Sequence, residues 1–188
     1  MLTHRNETFR RQDYARQSLA GCEFEGCAFV GCDFSYADLG GCIFSDCLFD
    51  DCRLALTVVA DAVLRRVTFK KSDLRGIDFG SVSEFGLEIA CEHSRLDNCS
   101  FVRRKMRSTP FRGGELRECY FAECDLSGAV FDECVMEGTL FERCDLSGAD
   151  LRTAVGYAVD PVGNRLAKAR FSEYNLAGLV ASLGVVVE

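Results

Sequence analysis

The chain has 188 residues, 48% of them hydrophobic and 27% charged, with a formal net charge of −7. These averages fit one domain with a buried core and exclude a disordered or membranous chain. The first twenty residues carry His4, Arg5, Glu7, Arg10 and Arg11 and no apolar stretch, which reads as no secretory signal, and the longest nearly apolar run, 176–187, is too short for a bilayer of roughly 30 Å, so a cytoplasmic protein off the membrane is expected.

From Phe9 a large apolar residue returns at every fifth position, through Tyr14, Leu19, Phe24, Phe29 and Phe34, to Phe79 without a miss. Two places before the centres stand small residues, among them Cys22, Cys27, Cys32, Ala37, Cys42, Cys47 and Cys52. A period of five fits neither helix nor strand. A fixed period means stacked units of a solenoid, each turning one small and one large side chain inward.

From Phe79 to the next centre, Leu96, the step is not a multiple of five, so the phase slips by two within 80–93. Either a two-residue bulge or a loop of about seven residues satisfies this slip. Glu84, Phe85, Gly86, Leu87 and Glu88 form the candidate recognition loop, because ligand-contacting residues favour loops on rigid scaffolds. The second series runs from Leu96 through Phe101, Met106 and Phe111 to Leu151. Within it Arg104 takes a small inward site, which predicts a distorted coil or a side chain that snorkels outward.

After Leu151 the repeat decays, dividing the chain into a repeat domain, 1–155, and a C-terminal module, 156–188. Ser172 is a candidate N-cap, and Leu176, Leu179, Val180 and Leu183 follow helical spacing up to Gly184, so a short amphipathic helix is predicted, then a strand-like 185–187. This module is expected to close the open end of the solenoid. Leu176, Leu179, Val180, Leu183, Val185 and Val186 are also the candidate dimer interface.

Twelve cysteines recur as C-x₄-C beside only two histidines, His4 and His93. Zinc sites need tighter pairs and more ligands, so buried free thiols are expected, with neither metal nor cofactor. No nucleophile elbow or phosphate loop is present, and no catalytic residue is expected.

The charge is banded. Residues 17–52 hold acids such as Glu23, Glu25 and Asp33 and no base, while 118–150 holds Asp125, Asp132, Glu133, Glu137, Glu142, Asp145 and Asp150 against Arg143 alone. Most of these acids fall on outward positions. A rigid acidic rod resembles a duplex, which carries one negative charge per roughly 1.7 Å, and fits a basic DNA-binding groove. Direct nucleic-acid binding needs a basic face and is not expected.

The units CDLSG (124–128 and 144–148) and ADLRT (149–153) resemble the A-(D/N)-L-x-x pattern of the pentapeptide-repeat family over about 7–153. The resemblance implies an all-β solenoid, a right-handed quadrilateral β-helix with four pentapeptides per coil. In that fold residues twenty apart stack, Cys22 over Cys42 and Cys124 over Cys144, into thiol ladders. The interruption near the middle and the tail from Asp160 to Phe171, with its helix ending L-G-V-V-V-E, are similar to the topoisomerase-protecting branch, the Qnr, MfpA, McbG and AlbG proteins. That branch implies a homodimer joined through its C-terminal modules, DNA gyrase or topoisomerase IV as partner, and resistance to quinolones or peptide poisons. A scaffold or adaptor whose acids serve solubility is the alternative.

Overall fold

The computed structural model describes residues 2–84, 86–180, 183 and 185. Along the chain come the strands β1 (Thr3–Arg5), β2 (Thr8–Arg10), β3 (Glu23–Glu25), β4 (Ala28–Val30), β5 (Ile43–Ser45), β6 (Leu48–Asp50), β7 (Val63–Lys70), β8 (Leu87–Glu92), β9 (Ser100–Val102), β10 (Pro110–Arg112), β11 (Tyr120–Ala122), β12 (Val130–Asp132) and β13 (Leu140–Glu142), then one helix, α1 (Ala177–Val180). Every strand pairing is parallel and joins one coil to the next. One wall holds β1, β3, β5 and the start of β7; a second holds β2, β4, β6, the end of β7, β8, β10 and β12; a third holds β9, β11 and β13. The fourth side is joined by single bridges, Asp13 to Asp33 to Arg53 to Asp73. Partners such as Phe29 and Phe49 lie one coil of four pentapeptides apart. The expected quadrilateral β-helix is therefore the fold, with about 7 turns.

The centres fill the core. Phe24 stacks on Phe44 at 4.9 Å, Phe101 on Phe121 at 4.6 Å, and rings on adjoining sides, such as Phe24 and Phe29, meet edge to face. The series begins one unit earlier than the sequence indicates: the His4 ring stacks on Phe24 at 5.1 Å, completing the first coil. Corners follow two residues after each centre, where the backbone turns left-handed, as at Arg11 (φ 50°), Tyr36 (φ 59°) and Leu56 (φ 57°). Each such residue costs roughly 1 kcal/mol when it is not glycine. At Gly113, where φ is 59°, a Cβ would also strike the His93 ring in the coil below, so that ring would have to move.

The small sites do more than save space. Cys42 Sγ donates to the Leu19 carbonyl at 3.0 Å, Cys52 to Phe29 at 3.3 Å and Cys119 to Leu96 at 3.0 Å, each reaching into the preceding coil. Thr57, Ser72 and Asn164 make the same bond to Phe34, Phe49 and Phe141. Burial pushes the thiols of Cys42 and Cys47 up to about 11, and those of Cys52, Cys119 and Cys134 up to about 12. All twelve cysteines are free, and Cys22 alone is not buried. Since the thiolate is the nucleophile, iodoacetamide at about pH 8 is expected to label one thiol of the native chain and twelve after guanidinium. Mass spectrometry reads the result, and three or more labels on the folded protein would contradict the burial.

The slip at 80–93 is the two-residue bulge. Val67 pairs with Ile89, Phe69 with Cys91 and Asp73 with Arg95, each two residues beyond the ordinary coil. The register irregularity falls between Leu64 and Val67 on β7, opposite Gly86, whose carbonyl accepts from Leu64 N. Val82 and Gly86 stay buried, so the described residues on either side of position 85 keep to the wall. Just past the bulge, Ile89 takes a small site and Cys91 a centre, so large and small exchange places.

Arg104 stays inside, at 9% exposure, above this bulge. Its Nε donates to Val102 O at 2.8 Å, and its terminal nitrogen to Val82 O at 3.0 Å and Ser83 O at 3.2 Å. The coil is distorted, as one expectation had it, and the distortion lies beneath the arginine.

The coil register runs on past Leu151: Leu146 N donates to Arg165 O and Leu151 N to Arg170 O. The end is covered by a 3₁₀ turn, Glu173–Asn175, which Ser172 caps, and by α1. Tyr157 donates to Asn175 O at 2.7 Å, Val159 N to Gly178 O at 2.9 Å, and Leu179 packs on the core. A Cβ on Gly178 would overlap the Tyr157 carbonyl and ring, so glycine permits the cap to sit this close. The stop expected at Gly184 lies outside the described residues.

Candidate protein-docking surface

Outward side chains are positioned by the coil, so neighbours in space come from twenty residues away rather than from the same block. Asp33, Asp125, Asp145 and Asp150 each stand just before a centre. Each accepts the backbone N–H two residues on, from Ser35 (2.9 Å), Ser127 (3.2 Å), Ser147 (3.0 Å) and Arg152 (3.2 Å). Hydrogen bonding from Ser147 holds the Asp145 carboxyl below the usual range, and hydrogen bonding from Arg152 does so for Asp150. The same carboxylates take arginines: Arg53 to Asp33 at 2.7 Å, Arg107 to Asp125 at 2.5 Å, Arg165 to Asp145 at 3.5 Å and Arg152 to Asp150 at 2.7 Å. These aspartates hold the turn of the coil while facing solvent.

Glu25 pairs with Arg5 at 3.0 Å and Glu137 with Arg117 at 3.1 Å. Glu23 accepts from Thr3, Asp132 from Thr153 and Glu142 from the Tyr120 hydroxyl. The Glu133 side chain is exposed and has no ion pair or hydrogen bond among the described residues, and neither has Glu118. Blocks that look purely acidic along the chain are thus partly compensated by arginines of adjoining coils. Such exposed pairs stabilise by about 0–1 kcal/mol each, but they remove much of the local negative potential.

The ten carboxylates do not form one patch. Glu23, Glu25, Asp125 and Asp145 lie on one side of the rod, Asp33 and Glu137 on another, and Glu142 on the β13 wall. Asp132 and Asp150 come together in an open groove of about 410 Å³ on the β12 wall, with Arg112, Arg152 and Thr153, and Glu133 beside it.

Of the candidate loop, Glu84 is an exposed turn residue, Gly86 is buried, and Leu87 and Glu88 lie within β8, so they are wall rather than a projecting loop; Phe85 lies outside the described residues. At the C-terminus Leu176, Leu183 and Val185 are exposed, Val180 is half-buried, and Leu179 serves the cap; Val186 lies outside the described residues. Sequence reasoning missed an exposed apolar column. Arg16 lies over the Tyr36 ring at 5.0 Å, and Leu56 follows in the next coil, leaning over Gly76. The signal was available: both are large residues at corners. Among the described residues no group of histidine, cysteine or carboxylate side chains is arranged to hold a metal.

Two family models match the chain, "Pentapeptide repeat region" over residues 6–82 and "Pentapeptide repeats (8 copies)" over 119–155. Among solved structures, a trypsin-treated form of QnrB1, described as a plasmid-mediated fluoroquinolone resistance protein, is 24% identical, with 99% of this chain and 100% of that one covered and a TM-score of 0.46. HetL, a pentapeptide repeat protein involved in heterocyst differentiation regulation in the cyanobacterium Nostoc sp. strain PCC 7120, is 14% identical over 99% and 92% of the two chains, with a TM-score of 0.56. Likeness at these identities is likeness of fold. No curated protein sequence matches.

Proposed function

The chain belongs to the pentapeptide-repeat family, and from that premise we propose that it is a non-enzymatic, cytoplasmic protein that binds a type II topoisomerase, DNA gyrase or topoisomerase IV, in the manner of DNA and protects it from a poison. On this reading it acts as a homodimer joined through the C-terminal module, where Leu176, Leu183 and Val185 present apolar surface.

One observation carries the reading. Carboxylates recur on the outside of a stiff rod at coil steps of about 4.8 Å, and in the second half the exposed Glu118 and Glu133 form no ion pair among the described residues. The basic groove of a DNA-handling enzyme attracts such a surface, and the attraction raises the association rate. The resemblance of the 160–171 tail to the topoisomerase-protecting branch points the same way.

Supercoiling by purified gyrase, with and without a quinolone, tests the proposal. Titration with this protein is expected to restore supercoiling in the presence of the drug, and Glu118→Lys with Glu133→Lys to weaken the effect about tenfold, an amount worth 1.4 kcal/mol. Neither protection nor inhibition by the native chain would overturn it. The exposed Tyr36 and Leu56 favour a second reading, an adaptor for an unrelated protein; a pull-down that retrieves another partner and no topoisomerase would support it.

A further inference from the structure

The wall made of β2, β4, β6, β7, β8, β10 and β12 carries an ordered charge column at the residue after each centre. After Arg10 and Val30 of the first two coils it reads, from β6 onward, Asp50, Lys70, Glu92, Arg112, Asp132, Arg152. Signs alternate at steps of about 4.8 Å. Elsewhere on the rod opposite charges one coil apart close into ion pairs, as Arg66 does with Asp46 at 2.7 Å and Arg103 with Glu123 at 3.2 Å. In this column no two members pair with each other: Arg152 turns to Asp150, Asp132 accepts from Thr153, and the side chains of Asp50, Lys70, Glu92 and Arg112 have no partner among the described residues. Beside the column, just before each centre, lie the small or apolar Leu48, Thr68, Ala90, Pro110 and Val130, and in the last coil Asp150, the partner of Arg152.

Six alternating charges have a symmetry property. Reversed end to end, the column becomes its own complement. A two-fold axis lying in the wall plane between β8 and β10 reverses coil order and keeps strand direction. It therefore sets Glu92 against Arg112, Lys70 against Asp132 and Asp50 against Arg152 of the second copy, each contact occurring twice, as an isologous interface requires. The next column agrees, since Lys71 meets Glu133. A slip of one coil sets like against like along the whole column, so the register is selected by repulsion as well as attraction.

We propose that this wall is a contact surface for a second copy of the chain, packed side by side with its coil axis antiparallel. The contact is separate from the C-terminal module and does not depend on the proposed topoisomerase reading. Its area is small, roughly 30 Å by 10 Å from strand spacing and rise, against about 800 Å² per partner in a standard stable interface. The association is accordingly weak and governed by salt, because exposed charges are screened over about 10 Å at 0.1 M and about 3 Å at 1 M.

Sedimentation equilibrium of the full chain at these two salt concentrations tests it, with Glu92→Arg and Arg112→Glu as single variants and as a pair. The native chain is expected to approach twice its high-salt mass as concentration rises in low salt. Each single variant sets like charges across the axis and is expected to keep its high-salt mass. An equimolar mixture of the two singles restores every opposite-sign contact at the axis and is expected to recover the rise, as is the double variant, in which the exchanged signs at 92 and 112 again face each other across the axis. A native mass independent of salt, single variants that associate like the native chain, or a mixture and a double variant that both behave like the singles would overturn the proposal.

Discussion

Replacing Phe121 with alanine is expected to lower the unfolding free energy by about 4 kcal/mol. The ring is fully buried. It stacks between Phe101 at 4.6 Å and Phe141 at 5.1 Å and meets Phe111 and Phe131 edge-on at 6.4 and 6.5 Å. The substitution removes the transfer energy of a phenyl group and leaves a gap that a close-packed coil cannot fill. It also deletes ring pairs, each worth about 0.5–1.5 kcal/mol beyond area. The control is Phe9, a half-buried centre near the open N-terminal end that stacks on Phe29. Because each coil of a solenoid touches only its neighbours, Phe9→Ala is expected to cost about half as much or less. Urea unfolding followed by circular dichroism measures both, and equal losses at the two sites would contradict a core with a buried middle and a frayed end.

Arg104→Met is expected to cost about 3 kcal/mol, although it places an apolar side chain at an inward site. Methionine fills space at a centre, as Met106 and Met136 do, but Arg104 is the donor for the carbonyls of Val102, Val82 and Ser83. Leaving a buried acceptor unpaired costs roughly 1–3 kcal/mol. Bonds from a charged donor are the stronger kind. Arg104→Lys keeps the charge and loses the planar fork that reaches acceptors in two coils, so it is expected to recover only part of the loss. If methionine proves as stable as arginine, the guanidinium is not what holds the bulge.

The fold was legible for a physical reason. A five-residue period of one small and one large inward side chain is local, and from Phe9 to Leu151 only the slip at 80–93 interrupts it. Any chain that keeps that period must coil, so architecture, core membership and the free thiols of Cys42 or Cys119 could be read in one dimension. Even the size of the slip was visible, since the two series differ in phase by two. Its form, a bulge and not an excursion, was not: that depended on Val82 and Gly86 being buried and on β8 joining the wall. Arg104 looked anomalous for the same reason. Its partners at Val82 and Ser83 become neighbours only once the coil holding the bulge is laid beneath it.

The surface was the least legible part. Along the chain, 17–52 and 118–150 are acidic blocks. In the coil, Arg53 reaches Asp33, Arg107 reaches Asp125 and Arg165 reaches Asp145, so part of each block is neutralised from outside it. The aspartates of the CDLSG units also turn out to brace their own turns through the N–H groups of Ser127 and Ser147.

By itself, then, the periodicity determined that this chain is a solenoid with a phenylalanine and cysteine interior, because inward positions are spaced along the backbone and burial acts on each unit separately; the square section was what the resemblance to the pentapeptide-repeat family implied. Only the tertiary structure decided which charges meet, which remain unpaired on the β12 wall, and why an arginine stays inside. Those relations join residues one full coil apart, and the two-residue bulge shifts every such pairing across it.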